Sequence, residues 1–305
     1  MGRIEGVKMQ ELTSIPEQEL LYQGMYSCPG CMAALAMRLV LKAMGPNTIL
    51  ALTTGCWAVI DGPFPYTSSK VPFLHGAFGT AASMGRGLRA SLDVQGKEDV
   101  QVLAWGGDGA TFDIGMTALS AAAAYNEDIL YVCYDNEAYM NTGGQKSTAT
   151  LPGVRTTTTT QAGLAGVRKK NIVEIMAAHD IPFAASASAG YPHDLVKKVQ
   201  QAKALKGFKF IHVHTPCPTG WRYPPDEGPR IARLAVQARI HPLYHVRHGQ
   251  QYVIDLDPEP ISVEEYFQTQ RSRLKPLSAE EMAWIQENVD QRWQTIVARS
   301  RNTEA

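Results

Sequence analysis

VQVLAWGGDG (Val100–Gly109), with DIGMTALSAAAAY (Asp113–Tyr125) and DILYVCYDN (Asp128–Asn136) behind it, decides the fold. The first and last runs are apolar throughout, and the stretch between them is rich in the residues that favour helix. Apolar runs without polar alternation are strands buried on both faces, which is the pattern of a parallel sheet. Each strand ends on a polar cluster: Gly107-Asp108-Gly109 after the first, Asp135-Asn136-Glu137 after the second. In an open α/β sheet these carboxyl ends form the crevice where ligands bind.

The same alternation extends in both directions. Upstream lie a helix MAALAMRLVLKAMG (Met32–Gly45), a strand TILALTTG (Thr48–Gly55), a loop over Gly62–Lys70 and a small-residue helix over Phe78–Leu92. Downstream, Asn141–Gly166 has no periodicity and reads as a long loop that a ligand or partner orders. NIVEIMAAHD, PFAASAS, DLVKKVQQAKALKG and FKFIHVHTPCP then resume the alternation of helix and strand. The predicted fold is α/β, a mostly parallel sheet with helices on both faces. After Trp221 the composition changes, with Pro224 and Pro225 and then the helices IARLAVQARI and SAEEMAWIQENVDQRWQTIVARS. The expected division is a main domain over 1–225 and a C-terminal helical arm over 226–305 that packs on that domain or on a partner subunit.

The 305 residues carry 29 Lys+Arg and 29 Asp+Glu, a formal net charge of zero. That balance disfavours a nucleic-acid or anionic-membrane binder held by bulk charge. No apolar run reaches the roughly 18 residues of a spanning helix. The first residues form a polar arm without a signal-peptide pattern, so a cytoplasmic location is expected. Five cysteines are too few, and odd in number, for a disulfide scaffold.

Two constellations carry chemistry. Adjacent parallel strands would set Asp108 beside Asn136, and a carboxylate with an amide oxygen, completed by a backbone carbonyl and diphosphate oxygens, is a shell that Mg²⁺ favours. Taken alone, GDG is also a common turn. GDGATFD lacks the EF-hand register, and this turn lacks the dinucleotide-binding glycine pattern. The second constellation is Cys28 and Cys31 in CPGC, Cys56 in TTGCW and Cys217 in TPCPTGW, all at element ends. Four loop thiolates suit an iron–sulfur cluster or a zinc ion. A redox pair at Cys28 and Cys31, or unrelated structural cysteines, are the other readings. Cys133 lies inside a strand and reads as a small hydrophobe. His212 and His214 share one strand face, as buried core residues or as ligands beside Cys217. Arg168-Lys169-Lys170 reads as a solvated helix start or as a contact for an acidic partner.

CPGC, TTGCW with PYT downstream, GGDGATFDIG, YDNEAYMNTGGQ and HTPCPTGWRYPP occur in one order over about residues 20 to 295. Together they resemble the thiamine-diphosphate-binding β subunit of 2-oxoacid:ferredoxin oxidoreductases, the pyruvate:ferredoxin oxidoreductase group. The resemblance implies that Asp108 and Asn136 bind Mg²⁺ through side chains and Ala138 through its carbonyl. It implies a 4Fe-4S cluster on Cys28, Cys31, Cys56 and Cys217, with Cys56 also near the thiamine. Asn141 would face the 2-oxoacid, and Gly107, Gly109 and Thr142 would line the diphosphate end. The implied reaction is oxidative decarboxylation of a small 2-oxoacid, pyruvate with coenzyme A or oxalate, with electrons leaving singly to ferredoxin. The implied partners are an α subunit supplying the aminopyrimidine-activating glutamate, a ferredoxin-like subunit with further clusters and a γ subunit or domain. Met25, Met32 and Gly144 depart from the pattern of pyruvate-specific members, so the resemblance leaves the substrate open. Two other classes remain: a zinc-stabilised binding subunit without redox chemistry, and an acetolactate-synthase-like thiamine enzyme without a cluster.

Overall fold

The computed structural model describes residues 15–159, 168–270, 273–274 and 276–304. Eight strands form one sheet: β1 (Thr48–Thr53), β2 (Phe73–Gly76), β3 (Gln101–Gly107), β4 (Leu130–Asp135), β5 (Phe183–Ser188), β6 (Lys209–His214), β7 (Leu243–Arg247) and β8 (Gln251–Leu256). Their order is β2-β1-β3-β4-β6-β5-β7-β8. The first six in that order pair in parallel, and β7 and β8 add antiparallel at one edge. β4, β5 and β6 are buried along their whole length, which is why their sequences show no alternation.

Successive side chains of a strand point to opposite faces, and the two faces carry separate cores. Leu50, Leu52, Leu103 and Trp105 pack on one side with the helices Met32–Met44 and Pro192–Lys203. Ala51, Val102 and Ala104 pack on the other with Ala81–Val94, Met116–Ala124 and Ile172–Ala177. The expected mostly parallel sheet with helices on both faces is the architecture found. The thioether-rich, Ala-rich helix over Met32–Met44 ends at Gly45, as its composition and the following proline predict.

Two local features differ from the expectation. The chain after β3 first makes a π-helical turn, Gly109–Ile114, before the α-helix Met116–Ala124. Gly115 N–H donates to the Ala110 carbonyl at 3.0 Å, and a Cβ on Gly115 would stand 2.2 Å from that oxygen. Glycine there lets the turn widen. The C-terminal arm is not wholly helical, because β7 and β8 form a hairpin that extends the sheet. A buried cation fastens it: Lys198 bonds the Ser186 carbonyl at 2.7 Å and pairs with Asp194 at 2.9 Å and with Asp255 of β8 at 3.0 Å. The closing helix Ala279–Glu304 sends Ile296 into the second core and Ile285 into a third, which also holds Leu151, Trp221 and Tyr266.

Part of the polar arm and of the predicted long loop, residues 1–14 and 160–166, lies outside the described residues. Within the described part of that loop, Tyr139 bridges to Gln145 and Val154 to Leu274. No helix among the described residues is long and apolar enough to cross a membrane.

Candidate active site

β3 and β4 run in register, Gly107 beside Tyr134, so Asp108 and the Asp135-Asn136-Glu137 cluster leave the sheet side by side. Asp108 is buried and accepts a hydrogen bond from Ser147 Oγ at 2.5 Å. One head atom of the Asn136 amide lies 3.1 Å from Asp108 Oδ1 and 3.0 Å from the Ala138 carbonyl oxygen. Turned one way, the amide nitrogen donates to both. Turned the other way, three oxygens converge, an arrangement that a cation satisfies. Burial, followed by the neighbouring Asp135 charge, pushes the Asp108 carboxyl well above the usual carboxylate range. A bound cation would reverse that shift.

Gly107, Asp108, Gly109, Asn136 and Ala138 line one cleft of about 60 Å³. Asn141, Thr142 and Cys56 complete its wall. Thr142 and Gln145 bond each other, Thr142 Oγ1 donating to Gln145 Oε1 and Gln145 Nε2 to the Thr142 carbonyl, both at 2.8 Å. Every residue predicted for the cofactor and substrate thus stands on this cleft.

Cys28, Cys31, Cys56 and Cys217 line a second cavity of about 100 Å³ that shares Cys56, Asn136 and Asn141 with the cleft. Three of the cysteines sit at helix starts: Cys31 before Met32–Met44, Cys56 before Trp57–Ile60 and Cys217 before Pro218–Trp221. Cys31 N–H donates to the Cys28 carbonyl at 3.1 Å, and Cys217 Sγ accepts from Gly220 N–H at 3.3 Å. Burial pushes the Cys56 thiol up to about 12 and Cys217 up to about 11, with Cys31 also raised. Such thiols stay protonated at neutral pH unless metal replaces the proton. The four cysteines come together from three separate parts of the chain onto one cavity. Cys133 is buried inside β4, apart from them.

Behind the cleft lies a buried ion network that the sequence does not announce. Lys169 Nζ stands 2.6 Å from Asp135 Oδ2 and 3.1 Å from Glu137 Oε1, and Arg273 reaches Glu137 Oε2 at 2.7 Å. The run Arg168-Lys169-Lys170 is therefore not simply a solvated helix start: Lys169 is almost fully buried, because two buried carboxylates need its charge. Lys170 bonds the Phe112 carbonyl. His212 Nε2 bonds Asp135 Oδ2 at 2.7 Å. His214 stacks with His241 and packs on Trp221, with neither ring nitrogen hydrogen-bonded among the described residues. Both histidines are core residues of this network. Ser147 and Arg273 have no sequence signal of their own, and Glu137 shows only as part of the polar cluster after β4; partners so distant in the chain meet only through the fold.

Residues 53–213 match the family described as thiamine pyrophosphate enzyme, C-terminal TPP binding domain. The chain is 43% identical over 279 residues to the pyruvate synthase subunit PorB of Methanothermobacter thermautotrophicus, covering 90% of this chain and 96% of the relative. It belongs to the thiamine-diphosphate-binding β-subunit family of the 2-oxoacid:ferredoxin oxidoreductases. A second member, the ketoisovalerate oxidoreductase subunit VorB of Pyrococcus furiosus, is 39% identical over 298 residues, 94% of this chain and 96% of the relative. The 2-oxoglutarate:ferredoxin oxidoreductase of Magnetococcus marinus shares the fold at a TM-score of 0.58, with 21% identity over 72% of this chain and 82% of that one. As a β subunit of this family, the chain is one component of a multisubunit oxidoreductase. That membership decides against a binding subunit without redox chemistry and against the acetolactate-synthase-like reading.

Proposed function

We propose that this β subunit holds Mg²⁺ with Asp108, Asn136 and the Ala138 carbonyl, and through it the diphosphate of thiamine diphosphate. Cys28, Cys31, Cys56 and Cys217 hold a 4Fe-4S cluster beside it. The observation that carries this reading is the sharing of Cys56, Asn136 and Asn141 between the thiol-lined cavity and the Asp108 cleft. Three oxygens that converge at the Asn136 amide fit a hard cation. Four cysteines on one cavity supply the thiolate set that a 4Fe-4S cluster needs, and the one-electron chemistry of the family favours that cluster over zinc, which has no redox chemistry.

Bound there, thiamine diphosphate would supply an electron sink for decarboxylation of a 2-oxoacid, and the cluster would pass the electrons on singly. This chain's part is to fix and shield them. Gly107 and Gly109 let the backbone approach the diphosphate, Thr142 closes that end, and Asn141 presents its amide to the substrate. Cys56, on both cavities, sets the two groups side by side.

A cleft of about 60 Å³ holds a phosphate and its cation, whereas a whole cofactor-sized ligand needs several hundred Å³. The rest of the thiamine lies toward an adjoining cavity of about 590 Å³ that shares Cys56, Ala138, Met140 and Asn141 with the cleft, and another chain covers it. We assign that chain as the α subunit, which brings the glutamate for the aminopyrimidine, so that the β subunit is inactive alone. A ferredoxin-like subunit with further clusters and a γ subunit or domain complete a cytoplasmic complex that reduces external ferredoxin. Residues 1–225 carry the cofactors, and 226–305 form the arm that faces a partner.

The substrate is a small 2-oxoacid, and Gly144, which has open space around it, leaves the loop narrow in bulk. The test is ferredoxin reduction by the purified complex with pyruvate plus coenzyme A, 2-ketoisovalerate plus coenzyme A, or oxalate. Turnover with one of them supports the reading; no reduction with any of these or with other 2-oxoacids, in a complex that retains its thiamine, contradicts it.

A further inference from the structure

Glu137 stands between two of the residues read as cation ligands, Asn136 and Ala138, and its backbone is left-handed, φ +66°. That conformation favours Gly or Asn, and glutamate adopts it only where its surroundings enforce it. Here they do so from every side. Its N–H donates to Asp135 Oδ1 at 2.8 Å, and its carbonyl accepts from Thr150 Oγ1 at 2.7 Å. Its carboxylate is fully buried between Lys169 Nζ at 3.1 Å and the Arg273 guanidinium at 2.7 Å. Arg273 is itself held, donating from Nε to Gln270 Oε1 at 2.6 Å and lying 3.6 Å over the Trp221 ring. Lys169 also pairs with Asp135 at 2.6 Å, so two carboxylates face two cations and the network is neutral.

The kink at Glu137 has a direct geometric result. It turns the chain so that the Asn136 amide and the Ala138 carbonyl meet at 3.0 Å, with Asp108 Oδ1 at 3.1 Å from the same amide atom. A straight continuation of β4 would set the side chains of residues 136 and 138 on one strand face and direct the Ala138 carbonyl in the sheet plane, away from the Asn136 side chain.

We propose that Glu137 is a positioning residue for the cation, clamped by Lys169 and by Arg273 of the C-terminal region. Its buried carboxylate is the anchor that holds the left-handed turn and so sets the oxygens of Asn136 and Ala138 on Asp108. The inference rests on the reading of those three residues as the Mg²⁺ site. It makes Arg273 of the C-terminal region part of the cofactor site although the oxygens that converge there come from Asp108, Asn136 and Ala138.

The test uses the whole complex, stripped of cofactor with a chelator and reloaded. The Mg²⁺ concentration for half-maximal thiamine diphosphate retention is measured alongside the melting temperature of the stripped complex. Glu137→Gln keeps the shape and removes the charge; it is expected to raise the Mg²⁺ midpoint at least tenfold while the stripped complex stays assembled. Arg273→Lys keeps a cation but loses the fork that grips the carboxylate, and is expected to give a smaller rise in the same direction. A merely structural role would lower the melting temperature and leave the midpoint of the folded fraction alone. Wild-type midpoints in both variants would overturn the proposal. If Glu137→Gln does not assemble, Arg273→Lys alone decides. A wild-type complex that shows no Mg²⁺-dependent retention would instead overturn the cation site itself.

Discussion

Trp221 donates its indole N–H to the backbone carbonyl of Asn136 at 3.0 Å. Trp221 ends the short helix that Cys217 begins, so a cysteine of the thiol-lined cavity and the turn beside Asp108 are tied by one buried hydrogen bond. Trp221→Phe keeps a ring beneath Arg273 and removes only the donor. A buried carbonyl left unpaired costs about 1–3 kcal/mol. The expected outcome is weaker thiamine diphosphate retention, by about tenfold on that scale, with iron content unchanged. Thiamine and iron analysis after gel filtration checks it, and equal loss of both would count against it.

Asp108→Asn separates charge from shape. The side chain keeps its size and its contact with Ser147, but the cation loses its only carboxylate among the three oxygens that converge there. Loss of an outer-shell group costs about 10–100-fold in metal affinity, so a direct ligand should cost more than that. Because burial already disfavours the Asp108 charge, the stripped complex should melt no lower than wild type. Retained thiamine diphosphate at wild-type Mg²⁺ would refute the assignment.

Gly30 adopts φ +72°, and a Cβ there would stand 2.1 Å from the Pro225 carbonyl oxygen. Alanine at this position must push the CPGC loop away from residues 224–225. Gly30→Ala is expected to destabilise the protein by about 1–3 kcal/mol and to lower bound iron. Iron content and urea unfolding, read together, test it; unchanged iron would show that the loop position does not matter to the cluster.

Lys198 is fully buried between Asp194 and Asp255. Lys198→Met leaves those carboxylates without their cation at the seam between the hairpin and the sheet. Losing one partner of a buried pair costs about 3 kcal/mol. Calorimetry should show that loss, and a smaller loss at acid pH where the carboxylates take up protons.

His214 gives the pH dependence its sign. Burial lowers its pKa from 6.5 to about 4, although Glu137 opposes the shift. Asp135, Lys169, His212 and His241 also face it. The folded state excludes the proton that the unfolded chain accepts, so the contribution is whole above about pH 6.5 and is lost as pH falls toward 4. His214→Phe cannot charge and keeps packing on Trp221. The melting temperature of wild type relative to this variant should be constant above pH 7 and fall between pH 6.5 and 5. A flat difference across that range would exclude His214 as a source of acid sensitivity.

The sheet was legible wherever burial on both faces erased alternation, as in Leu130–Asp135 and Lys209–His214. The hairpin was not: Leu243–Arg247 is buried at four of its five residues but is short and carries His245 and Arg247, and Gln251–Leu256, at the sheet edge, is only partly covered and mixes charged with apolar residues. The residues of the cleft were legible through short motifs at strand ends, since Asp108 and Asn136 are brought together by neighbouring strands in register. Lys169 was misread because a basic run looks the same whether it meets water or two buried carboxylates. Arg273 was invisible for a related reason: its partner Glu137 lies far away in the chain, and nothing local marks either as paired.

The most direct test is iron, acid-labile sulfide and thiamine content of the anaerobically purified complex, compared with its Cys56→Ser variant. About four irons and four sulfides per cluster, present in wild type, diminished by that number in Cys56→Ser and accompanied by thiamine in wild type, are the predicted result. Zinc in place of iron on this chain, or a full iron and sulfide complement that survives Cys56→Ser, would contradict the account.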